Sequence, residues 1–149
     1  MTETVIEAHG VRILHCAGDG PVLADEAAAV ELVALALAQR ADMVVVPVRR
    51  LDPRFFTLST GLAGQFVQKL VNYRLRLTIV GDIRAYVEAS APLRDYVYET
   101  NRGRQVWFVA DPTELDARLA AAALKDAALK DAALKDTAVK DAAGPLPTE

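Results

Sequence analysis

Charged side chains follow two predicted strands, at the points where each strand ends. Arg49 and Arg50 come after the apolar run MVVVPV, and Asp82 and Arg84 come after RLRLTIV. Because open α/β sheets bind ligands at the carboxyl ends of their strands, we expect these four residues to share one rim. The arginines would hold a small anionic ligand there, and Asp82 would be the acid or base if its pKa is raised. The alternative is that Asp82 caps a turn and the arginines are solvated.

Two hydroxyl side chains, Ser59 and Thr60, stand with Gly61 before a predicted amphipathic helix and are placed on the same rim. One of them either caps the helix by accepting from its first N–H groups, or is a phosphoacceptor or anion site at the positive end of the helix. A phosphate would be stabilised by the helix dipole and would add about two negative charges to a docking face. The predicted core face of the helix consists of Leu62, Ala63, Phe66, Val67 and Leu70.

A docking face is predicted around the same helix. Gln68, Lys69 and Asn72 lie on its polar side, which is either a solvated surface or a protein-binding one. Phe55 and Phe56 precede the helix, and we expect one to be buried while the other lines the rim. An exposed phenylalanine there would indicate a binding surface.

No complete set of catalytic or metal-binding residues is recognisable. His15 and Cys16 are neighbours on a predicted strand and therefore point to opposite faces, which rules out a local Cys–His dyad. Two histidines and one cysteine give no metal-ligand spacing, and no nucleotide-binding glycine motif is present, so neither a metal nor a cofactor is expected. The Glu99, Asn101 and Arg102 segment is either a polar binding cluster or a helix end capped by Asn and Gly.

The composition is that of one cytoplasmic globular domain. The chain has 149 residues, a formal net charge of −3 and one cysteine. This charge predicts no nucleic-acid or anionic-membrane partner, and the single cysteine excludes a disulfide framework. Neither a signal peptide nor an apolar run long enough for a membrane span is expected.

The element order predicts an α/β fold with a mixed, mostly parallel sheet of four to five strands covered by helices. Runs on either side of His9-Gly10 form a hairpin, whose first strand is an antiparallel edge. Strands and helices then alternate, which favours right-handed parallel connections. The first helix, Asp25–Arg40, carries Val30, Val33 and Leu37 on one stripe. Ser90 is the expected cap of a later helix, and Asp111-Pro112-Thr113-Glu114 is a capping sequence.

The C-terminal part is predicted to be an alanine-rich helical extension of residues 122–149, separate from an α/β domain of residues 1–121. It repeats the unit AALKD, which advances a helix by about 140° beyond one turn, so its apolar residues wind around the axis. Acid-before-base pairs at i, i+4 support such a helix. It is either a spacer or a partner-binding helix. The predicted pairs are Asp126/Lys130, Asp131/Lys135 and Asp136/Lys140.

The motifs around the hydroxyl turn resemble a bacterial family, domain-of-unknown-function family 4180, over roughly residues 4–120. Its members carry FF-x-L-x-TGLAG, QK-x-x-NY, a strand ending in GD and a later E-x-N-x-G. In this sequence the matching positions are Phe55, Phe56, Thr60–Gly64, Gln68, Lys69, Asn72, Tyr73, Gly81, Asp82, Glu99, Asn101 and Gly103.

A more distant resemblance is to STAS domains, the sulfate-transporter and anti-sigma-factor-antagonist class. In those domains a strand leads into Asp-Ser-[Ser/Ala/Thr]-Gly-Leu and a helix, and the serine after the aspartate is the phosphoacceptor. The resemblance implies a STAS-like fold with Ser59 at the acceptor position and Leu58 in place of the aspartate.

These observations lead to three hypotheses. The first is a non-catalytic regulatory module that docks a protein partner through the Ser59-Thr60-Gly61 turn. The second is a small-molecule-binding protein or small biosynthetic enzyme with its pocket at the strand carboxyl ends. The third is self-association into a homo-oligomer through an exposed sheet edge or the Leu51–Leu58 loop.

Overall fold

A five-stranded sheet with five α-helices forms the described part of the chain. The computed structural model describes the backbone of residues 3–143 and the side chains of residues 3–134. The strands are β1 (Thr4–Ala8), β2 (Val11–His15), β3 (Met43–Pro47), β4 (Arg76–Val80) and β5 (Val106–Val109). The helices are α1 (Glu26–Ala38), α2 (Leu62–Asn72), α3 (Arg84–Ala89), α4 (Ala91–Arg102) and α5 (Pro112–Ala143). Three short 3₁₀ turns, Val48–Arg50, Pro53–Phe56 and Leu58–Thr60, connect β3 to α2.

The strands lie in the sheet in their chain order, β1-β2-β3-β4-β5. Strand β1 pairs antiparallel with β2, and the other three pairs are parallel, with Val44 opposite Leu77 in β3 and β4. The predicted α/β class, the mostly parallel sheet and the antiparallel edge strand are confirmed. Each parallel connection steps to the next strand in the same direction, so right-handed crossovers place α1, α2 and α4 on one face. The strand order therefore runs in one direction across the sheet. It has no switch point, which is the place where doubly wound sheets form a ligand-binding crevice.

The two faces of the sheet carry separate cores because successive strand residues point to opposite sides. The larger core contains Leu14, Val44 and Leu77 together with Phe66 and Leu70 of α2. The smaller core lies beneath the start of α5, where Leu115 and Leu119 cover the other face of the sheet. The strand residues of this smaller core are Ile13, Met43, Val45, Trp107 and Val109.

Helix starts follow the sequence signals. Asp25 accepts from the N–H of Ala28 at the start of α1, and Ser90 accepts from the N–H of Leu93 at the start of α4. Asp111 caps α5 by accepting from the N–H of Glu114 at 2.8 Å. The Glu114 carboxylate in turn accepts from the N–H of Ala110, so both acidic side chains of the capping sequence accept a backbone N–H group.

The predicted stripe of α1 is right at Val33 and wrong at Val30 and Leu37. Val30 and Leu37 are 47% and 46% exposed, whereas the buried face consists of Ala29, Leu32, Val33 and Ala36. The small alanines let the helix lie close to the sheet, and the bulkier side chains remain outside. Periodicity could not select the face because both faces of this helix are apolar.

Helix α5 continues without a break across residue 121 and runs well beyond the sheet. Its leucines at 124, 129 and 134 are all exposed, as expected for residues that wind around a solvated helix. Asp126 bonds Arg104 through both carboxylate oxygens, where a pair with Lys130 was predicted. The side chains of Lys135, Asp136 and Lys140 lie outside the described residues. Within residues 3–143, no helix is both long and apolar enough to cross a membrane.

Candidate functional site

The four residues of the predicted charged rim lie in two separate places, with Arg49 and Arg50 in one and Asp82 and Arg84 in the other. Arg49 donates from Nε to the carbonyl oxygen of Gly18 at 2.8 Å. Arg50 donates from Nε to Pro21 and from Nη1 to Ala17, both carbonyl oxygens at 2.6 Å. Both arginines therefore hold the loop between β2 and α1. The prediction that they face a ligand beside Asp82 and Arg84 is wrong, because three strong donors are already bound to this loop.

The β2–α1 loop is shaped around the two guanidinium groups. A Cβ atom at Gly18 would lie 1.9 Å from Nη2 of Arg49, and one at Gly20 would lie 2.6 Å from Cζ of Arg50. The buried, hydrogen-bonded Arg50 leaves no room for a side chain at Gly20, whereas the exposed Arg49 would have to move away from a side chain at Gly18. Arg50 is also paired with the carboxylate of Glu3 at 3.4 Å, and both side chains are almost fully buried. Glu3 and Arg50 thus attach the residues before β1 to the end of β3.

Asp82 and Arg84 form a closed turn in which hydrogen bonds favour the ionised form of the aspartate. Asp82 Oδ1 accepts from the backbone N–H and from Nε of Arg84, at 2.9 and 3.0 Å, and Oδ2 accepts from Nη2 at 2.8 Å. These hydrogen bonds from Arg84 lower the pKa of Asp82 to about 2. An acid–base role requires a raised pKa, so the predicted general acid or base at Asp82 is not supported.

The same turn occurs a second time in the chain. Asp52 Oδ1 accepts from the backbone N–H and Nε of Arg54, and Oδ2 accepts from Nη2, at 2.9, 3.1 and 3.2 Å. Hydrogen bonds from Arg54 likewise lower the pKa of Asp52. The sequence signal for both turns is an Asp-x-Arg triplet, shortly after β3 and directly after β4, and it predicts an ion-paired turn in place of the ligand site expected at Asp82 and Arg84. The repetition assigns Asp82 and Arg84 to turn formation.

An open groove of about 580 Å³ nevertheless adjoins Asp82 at the carboxyl ends of β4 and β5. Its walls are mainly apolar, and charged groups stand at its margin. None of Arg49, Arg50 and Ser59 lines it. The lining residues are Gly81, Asp82, Ile83, Arg84, Val87, Glu88, Val97, Phe108, Val109 and Ala110.

The two hydroxyls before α2 have different roles. Gly61, at φ 78°, is the N-cap residue, so of the two predicted capping hydroxyls neither stands at the N-cap position, and only Thr60 accepts from an N–H group of the first turn. The Thr60 hydroxyl lies 2.8 Å from the carbonyl oxygens of Arg54 and Thr57 and accepts from the N–H of Leu62 at 3.3 Å. It is therefore occupied by the turn itself. Ser59 is exposed, and its hydroxyl has no hydrogen bond within residues 3–134.

Ser59 lines a second groove, of about 350 Å³, between the turn before α2 and the junction of α3 with α4. Phe56 forms its floor by stacking on Tyr86, with ring centroids 4.3 Å apart. Phe55 packs edge-on against Phe66 at 5.9 Å. Both Phe55 and Phe56 are buried, so the predicted exposed phenylalanine is wrong. The groove is completed by Thr57, Leu58, Ala89, Ser90 and Pro92.

The polar residues of α2 lie on the surface and are tied to one another or to α1. Gln68 donates to the side-chain oxygen of Asn72 at 2.7 Å. Lys69 pairs with Glu26 at 3.1 Å and is half-buried between the helices. Gln65, Gln68 and Asn72 thus form one exposed flank of α2, which continues from the Ser59 turn.

The Glu99–Arg102 segment does not form a polar binding cluster. Glu99 and Arg102 lie 3.8 Å apart on the surface, while the Asn101 side chain turns inward to the backbone of Phe108. Burial lowers the pKa of His15, and burial together with Glu3 raises the pKa of Cys16 to about 12. No cluster of three His, Cys, Asp or Glu that could hold a metal ion occurs in the part of the chain that the structure describes.

The chain matches one known protein family. The family is Domain of unknown function (DUF4180), and the match covers residues 8–119. It therefore includes strands β2 to β5, both grooves and the start of α5, but only the last residue of β1, and it ends before the AALKD repeat. No curated protein and no solved structure is similar enough to count as a match.

Proposed function

This chain belongs to the DUF4180 family, and we propose that it is a non-catalytic, cytoplasmic, STAS-like module that docks a regulatory protein partner. The docking surface begins at the groove beside Ser59 and continues along the flank formed by Gln65, Gln68 and Asn72. The single observation that carries the proposal is the free, exposed Ser59 hydroxyl at the amino end of α2. The resemblance to STAS domains puts the phosphoacceptor at this same position.

The chemistry of the turn selects Ser59 over Thr60 as the modified group. Thr60 cannot be phosphorylated without losing its bonds to the carbonyl oxygens of Arg54 and Thr57. Ser59 can accept a phosphate with no such loss. The N-cap residue Gly61 supplies no side-chain oxygen, and Thr60 accepts only from the N–H of Leu62, so the positive end of α2 can still hold an anion.

A phosphate on Ser59 would act as a switch at the groove. It would gain about 0.3–1 kcal/mol from the α2 dipole. It would also add about −1.5 to −2 charges beside Phe56, Tyr86 and Pro92. A partner that inserts an apolar side chain between these residues would then have to desolvate the phosphate. Docking in the unmodified state and release after phosphorylation follow from this arrangement.

The flank of α2 gives the partner a polar contact surface that is already ordered. Gln68 and Asn72 hold each other in one conformation, which reduces the side-chain entropy lost on binding. Lys69 is less available because Glu26 holds it against α1. The proposal therefore assigns partner contact to Gln65, Gln68 and Asn72, with Lys69 at the margin.

Quantitative affinity purification with tagged full-length protein tests the proposal. We expect Ser59→Asp to reduce recovery of the specific partner at least tenfold, because the added charge stands at the groove. Ser59→Ala keeps the surface apolar and should retain the partner, as should Ala127→Asp, which adds the same charge at an exposed position of α5. Circular dichroism melting curves establish that all variants are folded.

A second set of variants distinguishes the flank from the groove. Gln68→Ala with Asn72→Ala should weaken recovery of the same partner without changing the melting temperature. The proposal fails if Ser59→Asp and the Gln68→Ala, Lys69→Ala variant both recover the wild-type set of partners in wild-type amounts.

A second candidate function is favoured by the groove at the ends of β4 and β5. Its volume of about 580 Å³ is within the usual range for small-molecule sites, and its apolar walls suit a ligand with an apolar body. An anionic group of that ligand would have to compete with Asp82 for Arg84. We assign binding to this groove, and no reaction, because Asp82 is held ionised.

A thermal-shift screen against metabolites tests this second candidate, because a ligand that binds only the native state raises the melting temperature. A shift that Arg84→Ala or Val87→Trp abolishes, and that Ser59→Asp leaves intact, would place the ligand in the groove. A shift that survives Val87→Trp would exclude it.

A further inference from the structure

Helix α1 is apolar on all sides, yet only one of its faces is covered. Its sequence, EAAAVELVALALA, has charged residues only at Glu26 and Glu31. A helix that is apolar all round is normally buried on all sides. Here the inner face lies on the sheet, and the outer face is in contact with solvent. The exposed apolar residues of this outer face are Ala27, Val30, Ala34, Leu37 and Ala38, and the exposed Glu31 lies at its edge.

The exposed residues form a continuous surface with the end of α2. Tyr73 is 51% exposed and stands beside Leu37, where a shallow groove of about 180 Å³ runs between the two helices. Val30 and Ala34 line the same groove. Isolated exposed apolar side chains are ordinary, but a contiguous apolar patch of this kind marks an interaction site.

We propose that this surface is the interface of a homodimer in which α1 packs antiparallel against α1 of a second copy. Val30, Ala34 and Leu37 follow one another along the outer face. Ala34 is the small central residue and lets the two helix axes approach closely. Val30 and Leu37 lie on either side of it, so Val30 of each copy meets Leu37 of the other. A two-fold axis makes such a contact self-complementary and closed.

The charges at the two ends of α1 favour the same arrangement. Asp25 and Glu26 lie at its amino end, where Asp25 caps the helix and the exposed Glu26 also pairs with Lys69. The exposed Arg40 follows the carboxyl end of α1, and the exposed Arg74 follows the carboxyl end of α2. Neither arginine has an ion-pair partner among the side chains of residues 3–134. Antiparallel packing brings Arg40 of one copy to the first turn of α1 in the other, where acidic side chains stand. It also aligns the two helix dipoles favourably.

This charge pattern is what selects a second copy as the occupant. A parallel arrangement would place the acidic ends together and the basic ends together, which is unfavourable. A different protein would need an apolar surface for the outer face of α1, a basic group opposite its acidic amino end and an acidic group opposite its basic carboxyl end. A second copy matches them through symmetry alone. The interface is separate from the Ser59 groove and leaves Gln68 and Asn72 accessible, so it does not depend on the proposed function.

Sedimentation equilibrium of the full-length chain tests the proposal. We expect a dimer at tens of micromolar protein, and we expect Leu37→Glu and Val30→Glu each to weaken association at least tenfold. The matched control is Leu129→Glu, which adds the same charge at a leucine of α5 that is also exposed. Melting curves should show that all three variants are folded, with lower melting temperatures for Leu37→Glu and Val30→Glu because they lose the stabilisation that association gives. A monomer throughout the accessible concentration range overturns the proposal, as does a dimer that Leu37→Glu leaves intact.

A cross-linking experiment tests the antiparallel register independently. Ala34→Cys lies next to the proposed two-fold axis, so mild oxidation should convert the protein to a covalent dimer. Ala127→Cys on α5 should remain monomeric on a denaturing gel under the same conditions. The native Cys16 is buried and does not interfere. A dimer that cross-links no faster through Ala34→Cys than through Ala127→Cys would show that α1 is not at the axis.

Discussion

The side chain of Asn101 binds the backbone of Phe108 as a neighbouring strand would. Its amide nitrogen donates to the Phe108 carbonyl oxygen at 3.2 Å, and its oxygen accepts from the Phe108 N–H at 2.7 Å. Phe108 lies in β5, which is the last strand of the sheet. An unpaired strand edge is a site for unwanted pairing with other chains. Asn101 therefore closes this edge and joins the end of α4 to the sheet.

Replacing Asn101 with alanine should destabilise the fold substantially. Both Phe108 groups would lose their partner, and each unsatisfied buried group costs about 1–3 kcal/mol. We expect the free energy of unfolding, measured by urea denaturation, to fall by about 2–4 kcal/mol. The control is Asn72→Ala, which removes one exposed hydrogen bond within α2 and should cost about 0.5 kcal/mol or less. Equal losses for the two variants would mean that the Asn101 contacts contribute little.

The adjacent arginines Arg49 and Arg50 should differ strongly in their effect on stability. Arg50→Met leaves the buried Glu3 carboxylate without its partner, and breaking such a pair costs about 3–5 kcal/mol. Arg49→Met removes an exposed side chain from one carbonyl oxygen and should cost about 1 kcal/mol or less. Urea denaturation of both variants measures the difference.

The double variant Glu3→Gln, Arg50→Met tests whether the buried pair is the cause. Because the unpaired charge is then absent, it should be more stable than Arg50→Met alone. If the two variants are equally stable, the unpaired charge contributes nothing and the hydrogen bonds of Arg50 to Ala17 and Pro21 account for the loss.

The fold was predictable because its signals are local. Continuous runs of apolar residues, such as the one that forms β3, predict the strands. Ser90 and Asp111 predict helix starts, because each accepts a hydrogen bond from the backbone N–H three residues later. Sequence spacing determines such contacts directly. The antiparallel hairpin followed from His9-Gly10, where both residues have positive φ.

The candidate site was less predictable because its side chains contact residues that are far away in the sequence. Arg49 and Arg50 follow a strand end, as predicted, but their donors bind carbonyl oxygens some thirty positions earlier in the chain. Phe55 and Phe56 looked like one buried and one exposed residue, and tertiary contacts with Phe66 and Tyr86 bury both. The role of Asn101 likewise depends on a strand that follows it.

Arg84 should control the titration of Asp82. Hydrogen bonds from Arg84 lower the pKa of Asp82 to about 2 in the native state, whereas its ordinary value is 3.8. The contribution of this turn to stability is therefore present above pH 4, where the carboxylate is charged in both states, and is lost as the pH falls toward 2. NMR titration of the side-chain carboxyl carbon should give the low value in the wild type. In Arg84→Ala the pKa should return toward 3.8, and an unchanged value would show that Arg84 is not the cause.

The Cys16 thiol should be unreactive in the native protein and should make stability fall at high pH. Burial and the nearby Glu3 raise its pKa to about 12, from an ordinary value of 9.0. At pH 8 the native thiol is protonated, so we expect an aromatic disulfide reagent to label it only as fast as the protein opens, and urea should accelerate labelling. Because the native pKa lies above the unfolded one, the stabilising contribution is complete below pH 9 and is lost between pH 9 and 12. Cys16→Ala should show a smaller loss of stability from pH 8 to 10 than the wild type. Rapid labelling at pH 8 without urea would contradict the buried, protonated state.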